Sequence, residues 1–185
     1  MTTPRLLTLT SVLVLAAGCA AQQPVSGTPA HAPAHTGPAH NGSAQPGSSS
    51  GVRLAGGDLV VYDRALAPEG ARASASVDST ATGTVSSLTV EGLLPQRTYG
   101  AHLHANACGA KPDDAGPHFQ HTHGQANATS EVWLDLTTDE AGTGQATAKH
   151  SWSLGAMTPK SAVIHAQPTK PDGTAGPRVA CLSLG

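Results

Sequence analysis

The sequence has few aromatic side chains, few charged ones and no segment with useful helical periodicity. Phe, Trp and Tyr make up 3% of the 185 residues, so Val, Leu, Ile and Ala must supply the core. The formal net charge is −2 and no basic patch appears, which argues against nucleic acid as a partner. The 21 glycines and 14 prolines are instead typical of short strands joined by tight turns.

Residues 1–18 have the layout of a secretory signal. One positive charge, Arg5, precedes an apolar run from Leu6 to Ala17 that is short for a membrane span. The run leads into LAAGC, which resembles a bacterial lipobox with Cys19 as the lipidated residue; ordinary signal cleavage nearby is the alternative. We expect an exported protein, lipid-anchored at the outer face of the cell membrane or in the periplasm.

Residues 19–51 predict a disordered linker rich in Pro, Ala, Gly, Ser, Gln and His. The segment has too few large apolar side chains to offset the entropy of ordering. A PAH unit occurs three times, at His31, His35 and His40. The segment is either a flexible stalk, which we favour as its main role, or a tether that gathers copper.

Residues 52–185 predict one all-β domain. Short runs with partial alternation are separated by Gly, Pro or Asp signals such as APEG, LLPQ, DEAG and KPDG. The candidate strands are residues 59–62, 71–77, 84–92, 98–104, 131–138, 144–152, 161–166 and 178–184. We therefore expect an immunoglobulin-like Greek-key β-sandwich or barrel of about eight antiparallel strands.

Alternation in the run EVWLDL (131–136) separates two faces. Its aliphatic residues should point into the core, whereas Glu131, Trp133 and Asp135 should share the opposite face.

The histidines point to a metal site. His102 and His104 lie two residues apart in a strand-like run, so both imidazoles should project from one face. A second cluster follows at His118, His121 and His123, and His165 lies on a β-branched run downstream. One histidine in a strand is usually structural, but this combination predicts metal binding. Imidazole ligands suit copper or zinc better than cations that prefer oxygen.

The three cysteines are consistent with export. If Cys19 carries lipid, Cys108 and Cys181 remain as an even pair in an oxidising compartment. A bridge between them would close a long loop, which stabilises by roughly 4 kcal/mol if only chain entropy is considered. It would also join the histidine-rich loop to the C-terminal strand.

These segments together resemble the copper–zinc superoxide dismutase family. The matching runs are AHLHANAC, GPHFQH, TTDEAGTGQA, SAVIHA and AGPRVACLSLG, in the family's order across residues 88–185. The resemblance implies an exported, lipoprotein-type enzyme that disproportionates superoxide to oxygen and hydrogen peroxide with one copper per domain. A homodimer is one of the assemblies that the family allows.

The resemblance also implies roles for individual residues. The copper ligands would be His102, His104, His118 and His165. His118 would also bridge to zinc and carry a proton, because the pKa of a histidine lies near neutrality. Arg178 would guide the anionic substrate, and Cys108 would form a disulfide with Cys181.

The zinc ligands of the family are matched less well. His118 is present, and His121 or His123 could serve as a second ligand, with Glu131 or Asp135 as the carboxylate. No residue replaces the third histidine, and a closed zinc site needs four ligands. With the short span between His165 and Arg178, this resembles the copper-only branch of the family, where a carboxylate holds the bridging histidine by a hydrogen bond.

Two other functions are consistent with the same residues. A sandwich of this fold could bind or store copper without turnover, and such a module would need neither Arg178 nor an open position on the metal. A purely structural lipoprotein domain would have histidines scattered in space.

Overall fold

A computed structural model describes residues 51–185. The proposed signal, the lipobox Cys19 and the three PAH histidines lie outside these residues. The described part has nine strands and one short 3-10 helix (Pro112–Ala115). The strands are β1 (Gly51–Asp58), β2 (Val60–Val61), β3 (Arg72–Thr80), β4 (Gly83–Glu91), β5 (Thr98–His104), β6 (Leu136–Thr137), β7 (Gly144–His150), β8 (Ser161–His165) and β9 (Arg178–Ser183).

The strands form two antiparallel sheets. One has the order β1-β3-β4-β7, and the other has the order β2-β9-β8-β5-β6. Neighbours that are distant in sequence, such as β4 and β7, require the chain to cross between the sheets. The all-β sandwich predicted from the strand pattern is confirmed.

Alternating side chains explain how the first sheet covers the core. In β3, Ala73, Ala75 and Val77 are buried, whereas the residues between them face outward. In the neighbouring β4, Leu88 lies opposite Ala75 and Val90 opposite Ala73. Large residues on β4 thus pack beside small ones on β3. The core also contains two aromatic side chains, Tyr99 and Phe119.

Two segments differ from the predicted strands. β1 was not predicted, and it begins at Gly51, the last residue assigned to the linker; its pairing with β3 continues over its whole length. The predicted strand 131–138 is reduced to Leu136–Thr137. Its alternation is nevertheless as predicted, since Val132 and Leu134 are both buried. Outside β6, which pairs with β5, the run makes two isolated bridges, from Trp133 to His102 on β5 and from Glu131 to Gln120 in the loop after β5.

The disulfide predicted from the cysteine pattern is present. Cys108 in the loop after β5 is bonded to Cys181 on β9, 73 residues away. The backbone N–H of Cys108 also donates to the hydroxyl of Ser183, 3.0 Å away. The loop that carries His118 is therefore held against the C-terminal strand.

Within residues 51–185, no helix is long and apolar enough to cross a bilayer.

Candidate metal centre

Strand β5 supplies the first two histidines of a buried cluster. Ala101 and Leu103 point into the core, so His102 and His104 project from the opposite face. The loop after β5 covers that face, and both histidines have an exposure of 0%. Polar rings that are removed from water in this way need partners.

The other two histidines come from a loop and from the end of β8. His118 pairs with His104 through an isolated backbone bridge, and His165 lies opposite Gly100 where β8 meets β5. One ring nitrogen from each histidine lies within 4.8 Å of all the others. The structure therefore brings together the four residues that the family resemblance assigned to copper: His102, His104, His118 and His165.

Backbone carbonyls determine which nitrogen points into the cluster in two of these rings. Nδ1 of His104 lies 3.0 Å from the carbonyl oxygen of Gly116, and Nδ1 of His165 lies 3.1 Å from that of Gly176. A carbonyl can only accept, so both Nδ1 atoms carry the proton. Their Nε2 atoms, 3.4 Å apart, then face each other with unprotonated lone pairs.

Glu131 orients His118. Nδ1 of His118 donates to Oε2 of Glu131 at 2.9 Å, which leaves Nε2 free to point into the cluster. Glu131 is 1% exposed, and its carboxylate accepts two more bonds: from Nε2 of Gln120 at 2.9 Å and from Nε1 of Trp133 at 2.8 Å. Three donors thus hold one buried carboxylate beside the histidine.

Burial keeps three of the imidazoles neutral. Desolvation lowers the pKa of both His102 and His104 to about 2, and neighbouring histidines act in the same direction. Desolvation likewise lowers the pKa of His165 to about 4. Because these pKa values lie well below neutrality, the rings can offer lone pairs to a cation at physiological pH.

The donor set fits copper or zinc. Nitrogen lone pairs converge from several sides, and two rings that both present unprotonated nitrogens cannot satisfy each other by hydrogen bonding. A metal cation can accept all four lone pairs at once, and imidazole is a good ligand for copper and zinc. The rings that hold their protons against carbonyls or a carboxylate are already oriented for this task.

The residues considered for zinc are placed differently. His121 stacks on Trp152, with ring centroids 4.6 Å apart, and His123 is exposed. Asp135 contacts Thr169, and Glu131 contacts His118 directly. In residues 51–185, the four clustered histidines are the only group of three or more His, Cys, Asp or Glu side chains arranged to hold a metal.

An open cavity of about 540 Å³ leads to the cluster. His118, His165 and Arg178 line it together with Glu131, Asp172 and Gly176. Two nitrogens of Arg178 donate to the carbonyl oxygens of Pro112 and Gly116, each at 2.6 Å. The guanidinium is therefore held in place. No other hydrogen bond within residues 51–185 engages it, so its remaining N–H groups can bind an anion in the cavity.

Sequence reasoning missed three residues that hold the cluster: Gln120, Trp133 and Thr169. Trp133 was placed on the correct face, but nothing in its run indicated a bond to Glu131. Thr169 bonds to Nε2 of His102 at 2.6 Å, although it lies 67 positions away in a turn.

Comparison with known families agrees with this geometry. The family model for copper/zinc superoxide dismutase (SODC) matches residues 72–183, more than half of the chain. The matched range contains all four clustered histidines, Arg178 and both cysteines of the disulfide. No curated protein matches the chain significantly.

Proposed function

Because the chain belongs to the copper/zinc superoxide dismutase family, we propose that it disproportionates superoxide to oxygen and hydrogen peroxide with copper held by its four clustered histidines. The observation that carries this proposal is the convergence of four ring nitrogens at the end of an open cavity lined by Arg178. Copper would be held by Nδ1 of His102 and by Nε2 of the other three histidines. When bound, it supplies the one-electron chemistry, since imidazole ligands support both Cu(I) and Cu(II).

His118 is the proposed proton carrier. Two superoxide ions need two protons to yield one oxygen and one hydrogen peroxide. The side chain of His118 is 19% exposed and lines the cavity, whereas His102 and His104 are fully buried. While its Nε2 is not bound to copper, His118 can take up a proton there, which makes an imidazolium whose other N–H faces Glu131, 2.9 Å away. The carboxylate stabilises that cation, and the second proton comes from solvent in the cavity.

We propose that the centre binds copper without zinc. The nitrogen of His118 that would face zinc in the family instead donates to Glu131. The same carboxylate also accepts from Gln120 and Trp133. A buried carboxylate with three donors supplies the orientation and the negative charge without a second metal.

Arg178 is the proposed guide for superoxide. The net charge of the chain is −2, so attraction of an anion must be local. Its guanidinium is permanently charged, lies in the same cavity as His118 and His165, and is fixed by two carbonyls. A copper store without turnover would have no use for this arrangement, which is why we favour the enzyme.

We also propose that the enzyme works outside the cytoplasm, anchored by lipid on Cys19 and spaced from the membrane by residues 19–51. The disulfide between Cys108 and Cys181 supports an oxidising compartment. The lipobox-like LAAGC supports the anchor.

Metal analysis and turnover on one sample test the proposal. The purified domain, residues 51–185, is loaded with copper and zinc together, dialysed, and measured for both metals and for superoxide disproportionation. We expect one tightly bound copper, no zinc retained in the folded domain, and fast turnover. Bound copper without turnover would favour the storage module, and equal copper and zinc would contradict the copper-only centre.

Replacing Arg178 with alanine should separate binding of copper from attraction of superoxide. Copper content should stay near that of the wild type, because no ligand is changed. The rate at low ionic strength should fall by about tenfold or more, and its dependence on salt should weaken. Stopped-flow decay of superoxide at several salt concentrations measures both effects.

Arg72→Ala is the matched control for this change. Arg72 is an exposed arginine on β3 that pairs with Asp58, away from the cavity. The Arg72→Ala substitution should leave both the rate of superoxide decay and its dependence on salt unchanged. If Arg178→Ala behaved like the control, the guiding role of Arg178 would be wrong.

A further inference from the structure

Thr169 lies between a clustered histidine and a carboxylate. Its hydroxyl oxygen is 2.6 Å from Nε2 of His102 and 2.5 Å from Oδ1 of Asp135. Its backbone N–H donates to Oδ2 of the same carboxylate at 2.7 Å. Nε2 of His102 and Oδ1 of Asp135 are 4.0 Å apart, which is too far for a direct hydrogen bond. The hydroxyl therefore forms the connection between them.

The direction of each bond in this chain follows from the number of protons. An ionised carboxylate only accepts, so the single hydroxyl proton of Thr169 goes to Asp135. The same carboxylate also accepts the backbone N–H of Ala101 at 3.2 Å, which holds it against β5. With its proton already given, the hydroxyl must accept from His102, and Nε2 of His102 is protonated.

The opposite tautomer of His102 would damage the cluster. Nδ1 of His102 lies 3.0 Å from Nε2 of His118. A proton on Nδ1 would join those two nitrogens by a hydrogen bond and remove both lone pairs from the metal site. Within residues 51–185, no carbonyl holds His102 in the way that those of Gly116 and Gly176 hold His104 and His165. The tautomer of His102 thus depends on Thr169.

We propose that Thr169 is the positioning residue of His102: its hydroxyl relays the negative charge of Asp135 to Nε2 and keeps Nδ1 free for copper. This inference rests on the proposed function, because it assigns Nδ1 as a copper ligand. Thr169 touches neither copper nor superoxide and acts only through His102.

The turn between β8 and β9 holds Thr169 in place. Lys170 and Thr174 pair across it, and Gly173 closes it by donating to the carbonyl of Lys170, each bond at 2.8 Å. Gly173 has a φ of +83°, and a Cβ added there would lie only 3.2 Å from Oε2 of Glu131, so both the backbone and the space favour glycine. The same turn ends at Gly176, whose carbonyl orients His165. One short connection thus orients two of the four histidines.

The test compares Thr169→Val, which keeps the shape and removes the hydroxyl, with Thr169→Ser, which restores it. Thr174→Val is the control. Thr174 lies in the same turn, and its hydroxyl donates a hydrogen bond to the exposed Asp172. All variants are made in the full chain. Long-range nitrogen NMR of the imidazoles in the metal-free protein identifies the tautomer of His102, and chelator competition measures copper affinity.

We expect the wild type, Thr169→Ser and Thr174→Val to hold His102 with its proton on Nε2. Thr169→Val should move that proton to Nδ1 in most molecules and weaken copper binding by about 10- to 100-fold, the usual cost of losing such a partner. If Thr169→Val keeps the proton on Nε2, or binds copper as tightly as the wild type, the inference is overturned.

Failure of the proposed function would be recognised separately. The NMR measurement needs neither metal nor turnover. A wild-type protein that binds copper, shows the expected tautomers and yet fails to disproportionate superoxide would overturn the proposed function and leave the role of Thr169 standing.

Discussion

Replacing His165 with alanine should abolish tight copper binding and superoxide turnover together. His165 is 4% exposed, and its Nε2 is one of the four converging nitrogens. Alanine removes this ligand atom and leaves only three of the four converging ring nitrogens. The loss of affinity should exceed the roughly 10- to 100-fold that is typical when only an outer hydrogen-bond partner is lost. Turnover should fall to the background of free copper.

The measurement for His165→Ala must distinguish the cluster from the rest of the chain. The segment before the described residues carries three more histidines in its PAH units, so bound copper alone is an ambiguous readout. Electron paramagnetic resonance of the copper-loaded protein reports the ligand environment and should lose its signal from the buried centre. Thermal unfolding of the metal-free protein confirms that the variant is folded.

His123→Ala is the matched control. His123 is exposed and outside the cluster, although its position in the second histidine group made it a candidate for zinc. The change should leave copper binding, the spectrum and turnover unchanged. If His165→Ala kept the spectrum while His123→Ala lost it, copper would bind through the second histidine group and the proposed centre would be wrong.

The part of the site that lies on a regular strand could be predicted from the sequence. The spacing of His102 and His104 places both rings on one face of β5 whatever the rest of the fold does. The alternation around Val132 likewise predicted which side chains are buried, even though most of that run is not a strand. The alternation of apolar and polar residues indicates which side chains face the core. It does not depend on the backbone pairing that defines a strand.

Contacts that depend on the crossing of strands could not be predicted in this way. Thr169 reaches His102 because it lies in the connection that follows β8, and β8 pairs with β5, an order that no local pattern encodes. The strand β1 was missed because two consecutive glycines, Gly56 and Gly57, weaken its alternation and are typical of turns. The choice of His118 over His121 and His123 as the third ligand depended on the family resemblance, since all three lie in one loop segment.

Replacing Glu131 with glutamine should keep copper bound and slow turnover by about 10- to 100-fold. An amide can still accept the Nδ1 proton of His118, so the ring stays oriented. The amide carries no charge, however, and no longer stabilises an imidazolium at His118. Proton delivery from Nε2 should therefore become the slow step, which a solvent deuterium isotope effect larger than that of the wild type would reveal.

Stability gives a second readout for Glu131→Gln, because three donors converge on this side chain. If the oxygen of the new amide accepts the hydrogen bonds from His118 and Trp133, the NH₂ group of that amide must face the Nε2 donor of Gln120. Gln120 cannot turn its own amide over without losing the N–H of Gly124, which its oxygen accepts at 2.9 Å. One buried donor is left without an acceptor, which should cost about 1–3 kcal/mol of unfolding free energy.

Glu140→Gln, the same change at an exposed turn position, should alter neither stability nor turnover. If Glu131→Gln turned over superoxide as fast as Glu140→Gln, the carboxylate would have no part in proton delivery.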